Sequence, residues 1–164
     1  MNYLLDSNTF IEAKNRYYGM QICPGYWDWL LHTNKTHDVS SINHVRNELT
    51  RGHDELATWA HKHSHFFVPE DDTPTQEVFG HIANHVMSLE HINSAARAEF
   101  LDGADPWLIA KAKATGAIIV THEKFNKDAK RKIFIPNICK HFNVEYIDTF
   151  QLLHELKAEF VMKP

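Results

Sequence analysis

Cysteine is scarce in this chain. Its 164 residues hold only Cys23 and Cys139, which have neither the number nor the spacing of a disulfide framework or a thiolate zinc site. No apolar run is long enough to span a bilayer, and Met1-Asn2-Tyr3-Leu4-Leu5-Asp6 lacks the cationic start and apolar stretch of a secretion signal. These absences lead us to expect a reducing, cytoplasmic setting with no membrane partner. Positive charge is not in excess either. Seventeen Lys and Arg against 21 Asp and Glu leave a formal charge of −4, so any nucleic-acid contact must come from a local patch. No repeat, low-complexity tract or linker divides the sequence. With 43% hydrophobic and 23% charged residues, it reads as one globular domain over 1–164 with a real core.

The stretch that organises the rest is Leu101-Asp102-Gly103-Ala104-Asp105-Pro106-Trp107-Leu108-Ile109-Ala110. Proline has the backbone angle of a first helical position and lacks an N–H the helix does not use there, which predicts Asp105 as the N-cap. From Trp107 the run is apolar on nearly every side, and Gly116 reads as the stop. A mostly buried helix therefore opens with an acid. Capping alone is the commonest work of an aspartate before proline, but three more acids stand where one α/β sheet would gather them.

Tyr3-Leu4-Leu5 is a short apolar strand ending at Asp6-Ser7-Asn8, before a helical stretch from Thr9 to Lys14. Asp6 then lies either at the carboxyl edge of a parallel sheet, beside the ligand crevice, or at the cap of the first helix. Asp38 to Ser41 is a weaker strand leading into a helix on which Ile42, Val45 and Leu49 form the apolar stripe. Glu48 falls beside that stripe and needs a partner: a metal, a cation, or a surface pairing with Arg46 or Arg51. Helices are expected over 54–63, 75–93 and 95–101, a strand over 66–68 and an acidic turn over 69–74. Ala117-Ile118-Ile119-Val120 is the clearest strand, entered from Gly116 and ended by Thr121-His122-Glu123. Glu123 thus reaches the same sheet edge as Asp6. Residues 144–147 and 148–156 read as a last strand and a closing helix.

Beyond Glu123 the chain turns basic, with Lys124, Lys127, Lys130, Arg131 and Lys132, and Lys140 further on. This is either a phosphate-binding patch beside the chemistry or a solvated loop face. The aromatics from Tyr17 to Trp29 suit core packing better than base stacking. Thirteen histidines invite a metal, but His61, His63 and His65, and the pair His81 and His85, lack a completing ligand. Asp6, Glu48, Asp105 and Glu123 are instead an all-oxygen set, which selects Mg²⁺ or Mn²⁺ over zinc.

In this order and spacing, Tyr3-Leu4-Leu5-Asp6-Ser7-Asn8, Val45-Arg46-Asn47-Glu48-Leu49, Ala104-Asp105-Pro106-Trp107-Leu108-Ile109-Ala110 and Ile119-Val120-Thr121-His122-Glu123 resemble the PIN domain over about the whole chain. A bacterial subgroup is suggested by Cys23-Pro24-Gly25-Tyr26-Trp27-Asp28-Trp29-Leu30 and Ile135-Pro136-Asn137-Ile138-Cys139. The resemblance implies a three-layer α/β/α sandwich with a short central parallel sheet. It also implies a Mg²⁺- or Mn²⁺-dependent ribonuclease, the VapC-like toxin of a toxin–antitoxin pair, with an antitoxin partner and a homodimer. Asp6, Glu48, Asp105 and Glu123 would be the metal-binding, catalytic quartet. Asn8 and Thr121 would support them, and Asp102 is an extra or substitute ligand. The last acid is more often Asp in such domains. A non-catalytic RNA- or protein-binding module is the alternative. An aspartate-nucleophile phosphatase is disfavoured by Asn8, where its second Asp would stand.

Overall fold

The computed structural model describes residues 2–164. Strands β1 (Tyr3–Leu5), β2 (Val39–Ile42), β3 (Phe67–Val68), β4 (Ile118–Val120) and β5 (Tyr146–Ile147) form one sheet in the order β3-β2-β1-β4-β5. Every adjacent pair is parallel, with Tyr3 beside both Val39 and Ile118 and Ile119 beside Tyr146. Parallel strands need long crossovers, and helices supply them on both faces. The strands are accordingly apolar on both sides, with Leu4, Leu5, Val39, Ile42, Ile119 and Val120 all buried. The order reverses between β1 and β4, and that is where an open α/β sheet leaves a crevice at its carboxyl edge. This is the α/β sandwich the sequence leads one to expect.

Local chemistry starts and stops the helices. α1 (Ser7–Glu12) runs into a π-helical turn at Ala13–Tyr17, and α2 (Pro24–Thr36) opens on proline. α3 (Asn43–Thr50) and α4 (Glu55–Lys62) follow β2, then α5 (Thr73–Met87), α6 (Ser94–Asp102) and α7 (Asp105–Thr115) join β3 to β4. α8 (Ile135–Phe142) and α9 (Thr149–Glu155) close the chain. Asp54, Asp72, Asn93 and Asp148 cap α4, α5, α6 and α9, each accepting from the N–H three residues on. Gly116, at φ 76°, ends α7 in the left-handed conformation that glycine adopts without a Cβ clash.

α7 lies inside the molecule, with Leu108, Ile109, Ala110 and Ala112 buried. One expectation is corrected here: Ala104, not Asp105, is the N-cap. Asp105 is the first helical residue, and no side chain caps this helix. Its carboxylate is thereby left to face the sheet edge. The aromatic stretch is core as expected, since Tyr26 and Trp27 are buried and Tyr26 stacks on Tyr18 at 4.5 Å. Tyr17 is the exception, exposed and edge-on to Phe150.

Candidate active site

Asp6 follows β1 directly, and its N–H donates to the Val120 carbonyl of β4 at 2.9 Å, so pairing of the two strands fixes its position. Its side chain is 2% exposed. Thr121, the first residue past β4, donates its hydroxyl to Asp6 Oδ2 at 3.0 Å and accepts the Glu123 N–H at 3.1 Å. Glu123 is held at the start of α8: Oε2 accepts from the Ile135 N–H at 3.4 Å, and Oε1 lies 3.8 Å from Lys132 Nζ. Glu48 reaches across from α3, and its Oε1 accepts the Ala104 N–H at 3.1 Å. That contact fixes the corner between α6 and α7, from which Asp105 projects. The surface pairing of Glu48 with Arg46 is not formed; Arg46 Nε donates to the Ala60 carbonyl instead.

Asp6, Glu48, Asp105 and Glu123 line one cleft of about 440 Å³ at the β1/β4 edge, with Ser7, Asn8 and Glu99 also on its wall. Burial together with like charge changes the acidity of Asp105 and Asp6. Burial first, then Asp6, Glu123 and Glu48, push Asp105 up to about 8. Burial and Glu123 push Asp6 up to about 6, against the Thr121 hydroxyl, which favours its ionised form. Glu123 is also raised by burial, with Lys132 pulling the other way. The four acids therefore act as one charged group that favours a cation or a proton in the cleft.

The remaining predicted residues divide. Arg131 and Lys132 line the acid cleft, and Lys124 lines a neighbouring cleft shared with Glu123. Lys127 and Lys130 are exposed and line neither. Asp102, named as a spare ligand, is exposed at the end of α6 and outside the acid cleft, because the helix turns it to solvent. Glu99, one turn earlier, takes the place on the wall that sequence reading offered to Asp102. Helical spacing along α6, three residues before Asp102, was the signal for it.

A family model described as a domain of unknown function, DUF4411, matches residues 3–160. The chain belongs to the DUF4411 family. No curated protein matches this DUF4411 chain in sequence. Among solved structures, it is similar to a chain of VapBC2 from Rickettsia felis, bound to a DNA fragment from the promoter. The identity is 14%, the TM-score 0.55, and 90% of this chain and 98% of that one are covered. It is also similar to a chain of FitAcB from Neisseria gonorrhoeae, at 16% identity and TM-score 0.51, covering 88% and 96%. At such identities the likeness establishes the fold.

Two further facts bear on what this DUF4411 site can do. Among the described residues, no three His, Cys, Asp or Glu side chains stand close enough to form a metal cage as they are. Cys139 is buried near the site, and burial together with Glu123 and Asp105 pushes its thiol up to about 12. It stays protonated and is no nucleophile. Among the described residues, no helix is long and apolar enough to cross a membrane.

Proposed function

We propose that this chain is a divalent-metal-dependent endoribonuclease, the toxin of a toxin–antitoxin pair. The observation that carries the reading is that four acids from four separate elements, Asp6, Glu48, Asp105 and Glu123, line one cleft at the sheet's switch point. Burial makes their company costly unless a cation or protons join them. The donor set is all oxygen, the chemistry of Mg²⁺ or Mn²⁺. A loose arrangement suits Mg²⁺, which keeps several waters and is held by one or two carboxylates together with substrate phosphate. When bound, such an ion supplies an activated water and stabilises charge on the scissile phosphate.

The chain's own residues do the rest. Thr121 orients Asp6, and Ala104 orients Glu48, so both carboxylates keep a fixed direction. Lys132 and Arg131 bring positive charge to the rim of an otherwise acidic cleft, where an RNA phosphate would enter. The resemblance to VapC-like PIN domains and the fold shared with VapBC2 and FitAcB support the toxin assignment and a protein antitoxin as partner.

The test is cleavage of single-stranded RNA with Mn²⁺, by wild type and by Asp105→Asn, with and without EDTA. Wild-type activity that EDTA removes and Asp105→Asn lacks, with the variant still folded, is the expected result. An equal metal-dependent rate in the variant refutes the site. No cleavage by wild type leaves the second reading, a PIN-like RNA- or protein-binding module.

A further inference from the structure

A second cleft, of about 210 Å³, lies beside the acid cleft and is lined by Asn43, His44, Glu70, Asp71, Gln76 and Trp107. Two of the helices that feed the acid cleft, α3 and α7, also feed this one. His44 is one turn before Glu48 on α3, and Trp107 is two residues after Asp105 on α7. One helical turn, about 5.4 Å, separates His44 from Glu48 along α3.

Its wall is a column of flat rings. Phe79 and Trp107 stack with centroids 3.9 Å apart and planes 15° apart, and Trp107 and His44 stack at 5.1 Å and 18°. Trp107 and His44 border the cleft, and Phe79 backs them. The imidazole is fixed by Glu70, which is hydrogen-bonded to His44 Nδ1 and accepts the backbone N–H of Asn43 and His44, each at 3.1 Å. Glu70 is itself 6% exposed, so the stacking surface is set before any ligand arrives.

Charge then decides what can bind. The lining carries Glu70 and Asp71 and neither Lys nor Arg, so a phosphate is repelled and an uncharged heterocycle is not. Asp71 is exposed, and its carboxylate, like the Asn43 side-chain amide, makes no hydrogen bond to the protein among the described residues. A free carboxylate beside a stacking ring matches a base edge with two adjacent N–H donors. Guanine has that edge in N1–H and its exocyclic amine, with O6 beside them for an amide donor. Adenine and cytosine place a ring acceptor next to the amine, and uracil has a single N–H between two acceptors.

We propose that this cleft is a guanine-binding subsite, in which the base stacks on the outward face of His44, the end of the ring column, and donates to Asp71, for a nucleotide of the RNA whose phosphate enters the acid cleft. Its place in RNA recognition rests on the ribonuclease reading. Single-stranded RNA is commonly read in this way, by stacking plus contacts to the base edge.

The test titrates guanosine, a probe with no phosphate, into the full-length, metal-free protein. The Trp107 indole N–H and the His44 ring protons are followed by NMR, with Trp107→Phe to assign the indole signal. Guanosine should move both signals and saturate at about tenfold lower concentration than adenosine, cytidine or uridine. Asp71→Asn, at an exposed residue whose side chain supports nothing in the fold, should abolish the preference and leave the stacking shifts. Equal response to all four nucleosides, or unmoved Trp107 signals, overturns the proposal. RNA cleavage by the same preparation with Mn²⁺ reports separately. Cleavage without a guanosine response rejects the subsite and keeps the nuclease. A guanosine preference without cleavage keeps the guanine site and rejects the nuclease.

Discussion

Thr121 ties the carboxyl ends of β1 and β4 together by donating its hydroxyl to Asp6 while accepting the Glu123 N–H. The side chain is 1% exposed, so no solvent can take over either bond. The most buried acid of the site thus owes its orientation to the residue that follows the neighbouring strand.

Removing that hydroxyl is the first test. Thr121→Val keeps the shape and leaves the Asp6 carboxylate short of a donor, which should cost about 1–2 kcal/mol in urea unfolding. The Asp6 carboxyl should also rise further, because this hydroxyl is the largest influence holding it down. Thr121→Ser should restore most of both. Unchanged stability in Thr121→Val would show that the bond is not made in solution.

Acidity gives the second test. Asp105 and Asp6 are raised from an ordinary 3.8 to about 8 and about 6, so the folded state binds their protons more tightly than the unfolded state does. Raised carboxyls of this kind lower stability as pH rises through the interval between the unfolded and folded values. The metal-free protein should therefore lose stability from about pH 4 to about pH 8. Asp105→Asn, which cannot ionise, should flatten the upper part of that fall and melt higher than wild type at pH 8. A stability curve rising toward pH 8 would contradict the crowding of these acids.

Cation binding is the third. A divalent ion that binds only the folded protein adds about 2.7 kcal/mol at a hundredfold excess over its Kd. Mn²⁺ should accordingly raise the melting temperature at pH 7.5, EDTA should reverse the gain, and Asp105→Asn should lose most of it. Because the ion displaces bound protons, the gain should shrink toward pH 5. The same gain in wild type and variant would place the ion elsewhere.

Lys111 supplies the fourth. This nearly buried lysine reaches Asp72 Oδ2 at 2.6 Å and holds that carboxyl down at about 2. A depressed carboxyl contributes stability that is full above its ordinary value of 3.8 and is lost as pH falls toward about 2. Asp72 is 39% exposed, so screening keeps the contribution of the pair near 1 kcal/mol. Lys111→Met should cost about that much at pH 7, and the gap to wild type should close between about pH 4 and about pH 2. A gap independent of pH would mean that packing of the lysine stem, not its charge, is what matters.

Some of this molecule is local and was readable in one dimension. The apolar runs at Tyr3–Leu5 and Ile118–Val120 mark strands because a sheet covered on both faces excludes polar side chains, and each gives way to an acid within three residues, Asp6 and Glu123, where the strand's end meets solvent. Gly116 marks a helix end because only that residue turns left-handed cheaply. The cap before Pro106 falls one residue earlier than the local pattern predicts. Proline tolerates more than one position in the first turn, and the capping residue Ala104 gives its N–H to Glu48, 56 residues away in the chain.

Sequence alone determined the order of the strands along the chain, the apolar helix at 105–115, the acids at Asp6, Asp105 and Glu123 near element ends and Glu48 beside a helix's apolar stripe, since each depends on neighbours within a few residues. Tertiary structure decided the rest: that Thr121 meets Asp6 across 115 residues, that Glu99 and not Asp102 faces the acid cleft, and that Glu70, from an acidic turn, fixes His44 against Trp107. Such contacts turn on which way a side chain points once helices have packed on a sheet. Direction in space is set by the whole core and not by the local run of residues.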